Sequence, residues 1–180
     1  MIAAHPTPDY SIAAMRAWKK LPEDICAEVI YGKLYILPTP SIHHERVIMR
    51  IANTLYNYVE EHGIGEVFAH KPGVFLIEGK NAVEPDIVFV SKANPFLQVV
   101  RKGVFGPSDL HIEVLSSSNR KHDLIRKKKL YEEAGVREYW IIDPENKEAR
   151  GYLLENGRYD EPLIMNSEIH VRTLDKHITF

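Results

Sequence analysis

Residues 110–144, LHIEVLSSSNRKHDLIRKKKLYEEAGVREYWIIDP, run strand, helix, strand. The segment 110–115 is short, apolar and rich in strand formers. Its side chains alternate, so Leu110, Ile112 and Val114 share one face while His111, Glu113 and Leu115 share the other. Residues 120–134 form a helix that Gly135 closes, and residues 139–142 (YWII) form a strand that Asp143-Pro144 ends.

Working outward, Ile87-Val88-Phe89-Val90 reads as a strand buried on both faces. Before it, residues 67–69 and 74–77 are strand segments interrupted at Pro72-Gly73, with a turn over 78–81. Val47, Ile48, Ile51, Leu55, Tyr58 and Val59 recur at helical spacing, with Ser41 as N-cap and Gly63 as stop. Residues 28–37 form a hairpin around Gly32-Lys33, and a terminal hairpin turns at Asn156-Gly157. A short helix over 10–20 lies in a loose N-terminal arm, residues 1–22, ahead of a single domain, 23–180. The order predicts an α/β fold, a mixed sheet flanked by helices.

Composition narrows the function classes. Of 180 residues, 44% are hydrophobic and 27% charged, which argues against disorder. No apolar run approaches the roughly 18–20 residues that cross a bilayer, and the N-terminus lacks a secretory pattern, so a cytoplasmic protein with no membrane partner is expected. Cys26 is alone, which excludes an intrachain disulfide and a cysteine zinc site. The net charge of −2 excludes adhesion to nucleic acid by bulk charge, but six basic residues fall within 120–129, with Asp123 the only acid among them.

Three features carry chemistry. Glu84-Pro85-Asp86 puts an acid at the mouth of a buried strand, fixed by the proline before it. Glu113 lies in mid-strand among apolar neighbours, where a carboxylate is costly to bury unless paired or metal-bound. Lys127 falls, at about 100° per residue, inside the apolar arc of Leu124, Leu130, Tyr131 and Ala134, where an ammonium calls for a carboxylate partner. The bland readings are a solvated strand-end acid for Asp86, a water-facing sheet for Glu113, and a helix salt bridge from Asp123 to Lys127. Two strand-end acids with a lysine facing them suit Mg²⁺, which takes one or two carboxylates plus waters and substrate phosphate. That inventory fits phosphodiester hydrolysis. His43 and His44 are adjacent and diverge on a helix, so they do not chelate one ion together, though His44 can face the site. Ser116-Ser117-Ser118 near His122 and Asp123 reads as helix capping rather than a hydrolase triad. Arg120, Lys121, Arg126, Lys128 and Lys129 form either a phosphate-facing patch or a solvated helix face.

These residues resemble the Uma2 family of restriction-endonuclease-like proteins, a branch of the PD-(D/E)XK nuclease fold. The resemblance runs over about residues 23–154. It rests on Glu28…Gly32-Lys33-Leu34, Pro40-Ser41-Ile42-His43-His44, Glu84-Pro85-Asp86, Glu113-Val114-Leu115-Ser116, Asp123, Lys127, Tyr131, Ala134-Gly135, Glu138-Tyr139-Trp140 and Asp143-Pro144. It implies a restriction-endonuclease-like fold in which Asp86 and Glu113 bind Mg²⁺ or Mn²⁺ and the Val114 carbonyl completes the site. The nuclease motif's usual lysine, two residues after the glutamate, is Leu115 here. The family pattern puts a lysine on the following helix instead, matching Lys127. Glu28, His44, Asp123 and Tyr131 are accessory candidates. The implied activity is an endonuclease cutting DNA, with a homodimer suited to duplex DNA. Lys127→Ala is then expected to abolish cleavage and leave the fold intact. The rivals are a non-catalytic module that binds nucleic acid or protein, and a small-molecule hydrolase on the same metal site.

Overall fold

A computed structural model describes residues 7–22, 24–116 and 122–180, excepting the side chains of His122 and Asp123. In chain order the elements are α1 (Ala13–Lys19), β1 (Ala27–Ile30), β2 (Lys33–Ile36), α2 (Ile42–His62), β3 (Gly65–Ala69), β4 (Val74–Leu76), β5 (Asn81–Val83), β6 (Ile87–Ser91), β7 (Gln98–Val100), β8 (Gly103–Phe105) and β9 (Leu110–Val114). A π-helical turn (His122–Lys127) leads into α3 (Lys128–Ala134). Then come β10 (Glu138–Ile142), β11 (Glu148–Glu155), β12 (Arg158–Tyr159), β13 (Leu163–Asn166), β14 (Glu168–Val171) and β15 (Lys176–Thr179).

One sheet runs β12-β11-β10-β9-β6-β3, with β13 also on β11. It is mixed: β9 pairs parallel with β10 and antiparallel with β6. The parallel pair is possible because the π turn and α3 carry the chain back across the sheet. A second sheet runs β2-β1-β5-β4-β8-β7. On one face of the first sheet, Ile48, Ile51, Leu55 and Val59 of α2 pack against Ile87, Phe89, Leu110, Ile112 and Trp140. On the other, Val88, Leu115, Tyr139 and Ile141 meet Leu130 and Tyr131 of α3 and Val74, Leu76 and Val83 of the second sheet. Each such side chain, fully buried, contributes about 1.5–3 kcal/mol.

The helix α2 keeps its expected ends. The Ser41 side chain accepts the His44 N–H at 3.2 Å, and Gly63 takes the left-handed conformation at φ +59°. Both hairpin turns need positive φ at their two central residues: Tyr31 and Gly32 (+49°, +73°), and Asn156 and Gly157 (+52°, +78°). The first turn therefore centres on Tyr31-Gly32, one residue earlier than expected. Two further expectations change. Asn81 opens β5 rather than ending a turn, because it pairs with Leu76. The expected uniform helix over 120–134 is a π turn followed by α3; residues 117–121 lie outside the described residues.

Among the described residues of the N-terminal segment, α1 packs against β1 and the second sheet. Met15 is fully buried, Trp18 donates its Nε1–H to the Ala27 carbonyl at 2.9 Å, and the Trp18 ring stands edge-on to Phe75 at 5.7 Å. The buried Glu138 belongs to this framework: it accepts the Trp140 Nε1–H at 2.7 Å and the backbone N–H of Arg172 and Thr173 at 2.8 Å each, tying the chain after β14 to β10.

Candidate active site

The antiparallel β6–β9 register pairs Ile87 with Ile112 and Val88 with His111. Asp86 and Glu113 are the next positions outward, which places them opposite one another at the sheet rim on the face that carries His111. Cross-strand neighbours of this kind have Cβ atoms about 4.5–5.5 Å apart. Both acids are buried, at 4% and 2% exposure. They line one cavity of about 30 Å³ with His44, Lys71, Glu84, Val114, Ser116 and Lys127.

Each acid is held by named partners. Val114 donates its backbone N–H to Asp86 Oδ2 at 2.8 Å, and His44 Nε2 lies 3.2 Å from the same oxygen. Lys127 Nζ is 2.9 Å from Glu113 Oε1 and 2.8 Å from Glu28 Oε1. Tyr131 donates its hydroxyl to Glu113 Oε1 at 2.8 Å. Glu28, fully buried in β1, also accepts the Glu84 N–H at 2.9 Å. A buried charge is tolerated when it is paired and hydrogen-bonded, and this network does both.

Local structure explains these positions. Ser41 starts α2, so His44 sits in its first turn beside the sheet rim, while His43 faces solvent. Lys127 is the last residue of the π turn, at 3% exposure. Its position inside the apolar arc matches the expectation, although the i→i+5 winding differs from the assumed 100° per residue. The described neighbours of Lys127 in the basic run lie over aromatic rings: Arg126 over Tyr35 at 5.1 Å, Lys128 over Tyr152 at 4.5 Å and Lys129 over Tyr31 at 5.6 Å. Arg120 and Lys121, and the side chain of Asp123, lie outside the described residues, so the proposed Asp123–Lys127 bridge does too.

The surroundings shift several protonation equilibria. Burial alone would lower the His44 pKa, but the hydrogen bond and charge of Asp86, with help from Glu45, outweigh it and leave the pKa raised. Burial, reinforced by the charge of Glu28, pushes the Glu84 carboxyl up to about 7 against the opposing pull of Lys71 and Lys127. Burial, and next the charge of Glu113, push the Tyr131 phenol up, so it stays protonated and donates to Glu113. Burial and the Lys127 charge hold His111 down to about 3, hence neutral; its ring nitrogens have no hydrogen-bond partner among the described residues.

The donor set fits a hard, oxygen-loving divalent cation better than a thiolate- or imidazole-seeking one. Among the described residues no group of three or more His, Cys, Asp or Glu converges on one ion, so an all-protein cage of that kind is absent there. Two carboxylates on one cavity match Mg²⁺, which binds through one or two carboxylates and keeps several waters. A cavity of about 30 Å³ exceeds the roughly 10–15 Å³ that one water needs.

Asp86, Glu113, Val114, Lys127, Glu28, His44 and Tyr131 are therefore brought together. Glu84 and Lys71 join them without having been singled out for a role. Glu84 stood beside Pro85-Asp86, but nothing in its own spacing marks burial. Ser116, read as capping, lines the cavity with a buried hydroxyl that has no partner among the described residues.

A family model described as "Uma2: Putative restriction endonuclease" matches residues 12–176. A crystal structure described as a "putative nuclease belonging to DUF820", from Anabaena variabilis, superposes with a TM-score of 0.75 at 19% identity, covering 92% of this chain and 94% of that one. That likeness concerns the fold, and it agrees with the restriction-endonuclease-like α/β arrangement expected from the resemblance. No curated protein matches the chain. No helix among the described residues is long and apolar enough to cross a membrane.

Proposed function

Because the chain belongs to the Uma2 family, matched over residues 12–176, we propose that it is a metal-dependent endonuclease that hydrolyses DNA phosphodiester bonds. The observation that carries this reading is the pair Asp86 and Glu113, opposite one another at the rim of one sheet, with Lys127 at 2.9 Å from Glu113 and all three on one cavity. Asp86 and Glu113 would hold Mg²⁺ or Mn²⁺, with the Val114 carbonyl as a further oxygen donor. When bound, the ion would supply Lewis-acid polarisation of a phosphoryl oxygen and a more acidic water.

The chain's own groups do the rest. The Val114 N–H and His44 fix one oxygen of Asp86, and Tyr131 fixes one oxygen of Glu113. Such support keeps acids in place without reorganisation during the reaction. Lys127, anchored by Glu28 and Glu113, orients the attacking water and offsets charge developing on the phosphate. Asp123 remains an accessory candidate on the same turn. A two-fold pair of chains would present two such sites to duplex DNA.

The test is incubation with duplex DNA, single-stranded DNA and RNA in Mn²⁺ or Mg²⁺, comparing wild type with Asp86→Asn. Cleavage of DNA by wild type alone is expected. Failure of the wild type to cut any of the three with either ion would overturn the assignment in favour of a binding module that keeps the fold.

A further inference from the structure

The corner His70-Lys71 sits between β3 and β4 at the mouth of the cavity. Both residues have left-handed φ, +61° and +63°. Neither is glycine, and β-carbon sterics make that region uncommon for them, so the surrounding structure must impose it. The impositions are visible. His70 donates its backbone N–H to the Asp86 carbonyl at 3.1 Å, and its Nδ1 lies 3.3 Å from Glu45 Oε2. The corner is thus tied to the same residue, Asp86, that anchors the acidic site.

The result is a second lysine on the cavity wall with Asp86, Glu113, Glu84 and Lys127. The two lysines differ in what occupies them. Lys127 is buried between two carboxylates. Lys71 is half-buried and has no ion pair within 4 Å among the described residues, and its charge is felt at Glu84. A partly desolvated ammonium at the entrance to an acidic pocket attracts an anion that must approach those acids, and phosphate oxygens suit a lysine as a point-charge partner.

We infer that Lys71 is a substrate contact of this site, taking a phosphate oxygen of the nucleic-acid backbone at the cavity mouth. The inference rests on the nucleic-acid reading above. The competing role is a passive one: Lys71 only neutralises Glu84.

The two are separable by binding, without turnover. A short fluorescein-labelled DNA duplex is titrated in EDTA and again in Ca²⁺ over a salt series, with wild type, Lys71→Ala, Lys71→Arg and the Lys71→Ala/Glu84→Gln double variant. One phosphate contact contributes about 0.9 to the slope of log K against log salt, so a fourfold rise in salt should weaken Lys71→Ala roughly 3.5-fold less than wild type. Lys71→Arg should keep the wild-type slope, and the double variant should keep the Lys71→Ala slope. Equal slopes for wild type and Lys71→Ala, or a wild-type slope restored by Glu84→Gln, would overturn the contact while leaving the nuclease reading in place. A wild type that binds no duplex in either condition would overturn the contact, and the cleavage assay above decides the nuclease reading separately. Circular dichroism of each variant establishes that the comparison is between folded proteins.

Discussion

Replacing Lys127 by methionine keeps the side-chain length and removes the ammonium that lies 2.8 Å from Glu28 and 2.9 Å from Glu113. All three side chains are 3% exposed or less. Breaking a buried ion pair by deleting one partner costs roughly 3–5 kcal/mol, because the remaining charges stay in a poorly solvated place. Against a domain stability of about 5–15 kcal/mol that is a large fraction. The substitution is therefore expected to cost stability, and the same cost is expected of Lys127→Ala, which the sequence reading expects to leave the fold intact. Adding Glu28→Gln should return part of the loss at neutral pH. Urea denaturation read by tryptophan fluorescence, with m-values compared, measures both quantities. A loss at pH 7 within about 0.5 kcal/mol, the range of ordinary surface substitutions, would refute the reasoning. Activity comparisons at position 127 accordingly need thermal melts beside them.

Other positions give independent tests. Gly151 lies opposite Trp140, and an added Cβ would come within 2.3–2.6 Å of the indole ring; Gly151→Ala should lower stability by about 1–3 kcal/mol in a denaturant melt, and an unchanged midpoint would contradict the packing. Burial alone would raise the Asp160 pKa, but Arg172 at 2.6 Å outweighs it and leaves it lowered from 3.8. A depressed carboxyl stabilises the fold above its unfolded pKa, and that contribution disappears as pH falls through the folded value. Asp160→Asn should thus be less stable than wild type at pH 7, and the two melts should converge well below pH 3.8; a gap that persists at low pH would assign the effect to packing.

Much of this arrangement was legible because it follows from periodicity. The alternation of 110–115 put Glu113 opposite the face of Leu110, Ile112 and Val114, and those three lie in the α2-facing core. Lys127 was found because an ammonium among Leu124, Leu130, Tyr131 and Ala134 stands out even where the turn is π. What stayed hidden has physical reasons. β5, β7 and β8 are three residues each, too short to show a period of two. Without β5, β1 reads as half of an isolated hairpin, so the complete burial of Glu28 between β2 and β5 was not visible. β13 is mostly exposed and gives no burial signal, while β14 and β15 bury Ile169, Val171 and Ile178 but are four residues each, too short to show a sustained period of two. The His70-Lys71 corner depends on left-handed φ at residues with no preference for it, and only tertiary contacts impose that.

The measurement closest to the central claim is calorimetric titration of the folded protein with Mn²⁺, wild type against Asp86→Asn and Glu113→Gln. The account predicts saturable binding in wild type that both substitutions remove, since each takes one hard oxygen charge from a two-carboxylate site. Binding that persists undiminished in both variants, or no saturable binding in the wild type, would contradict it.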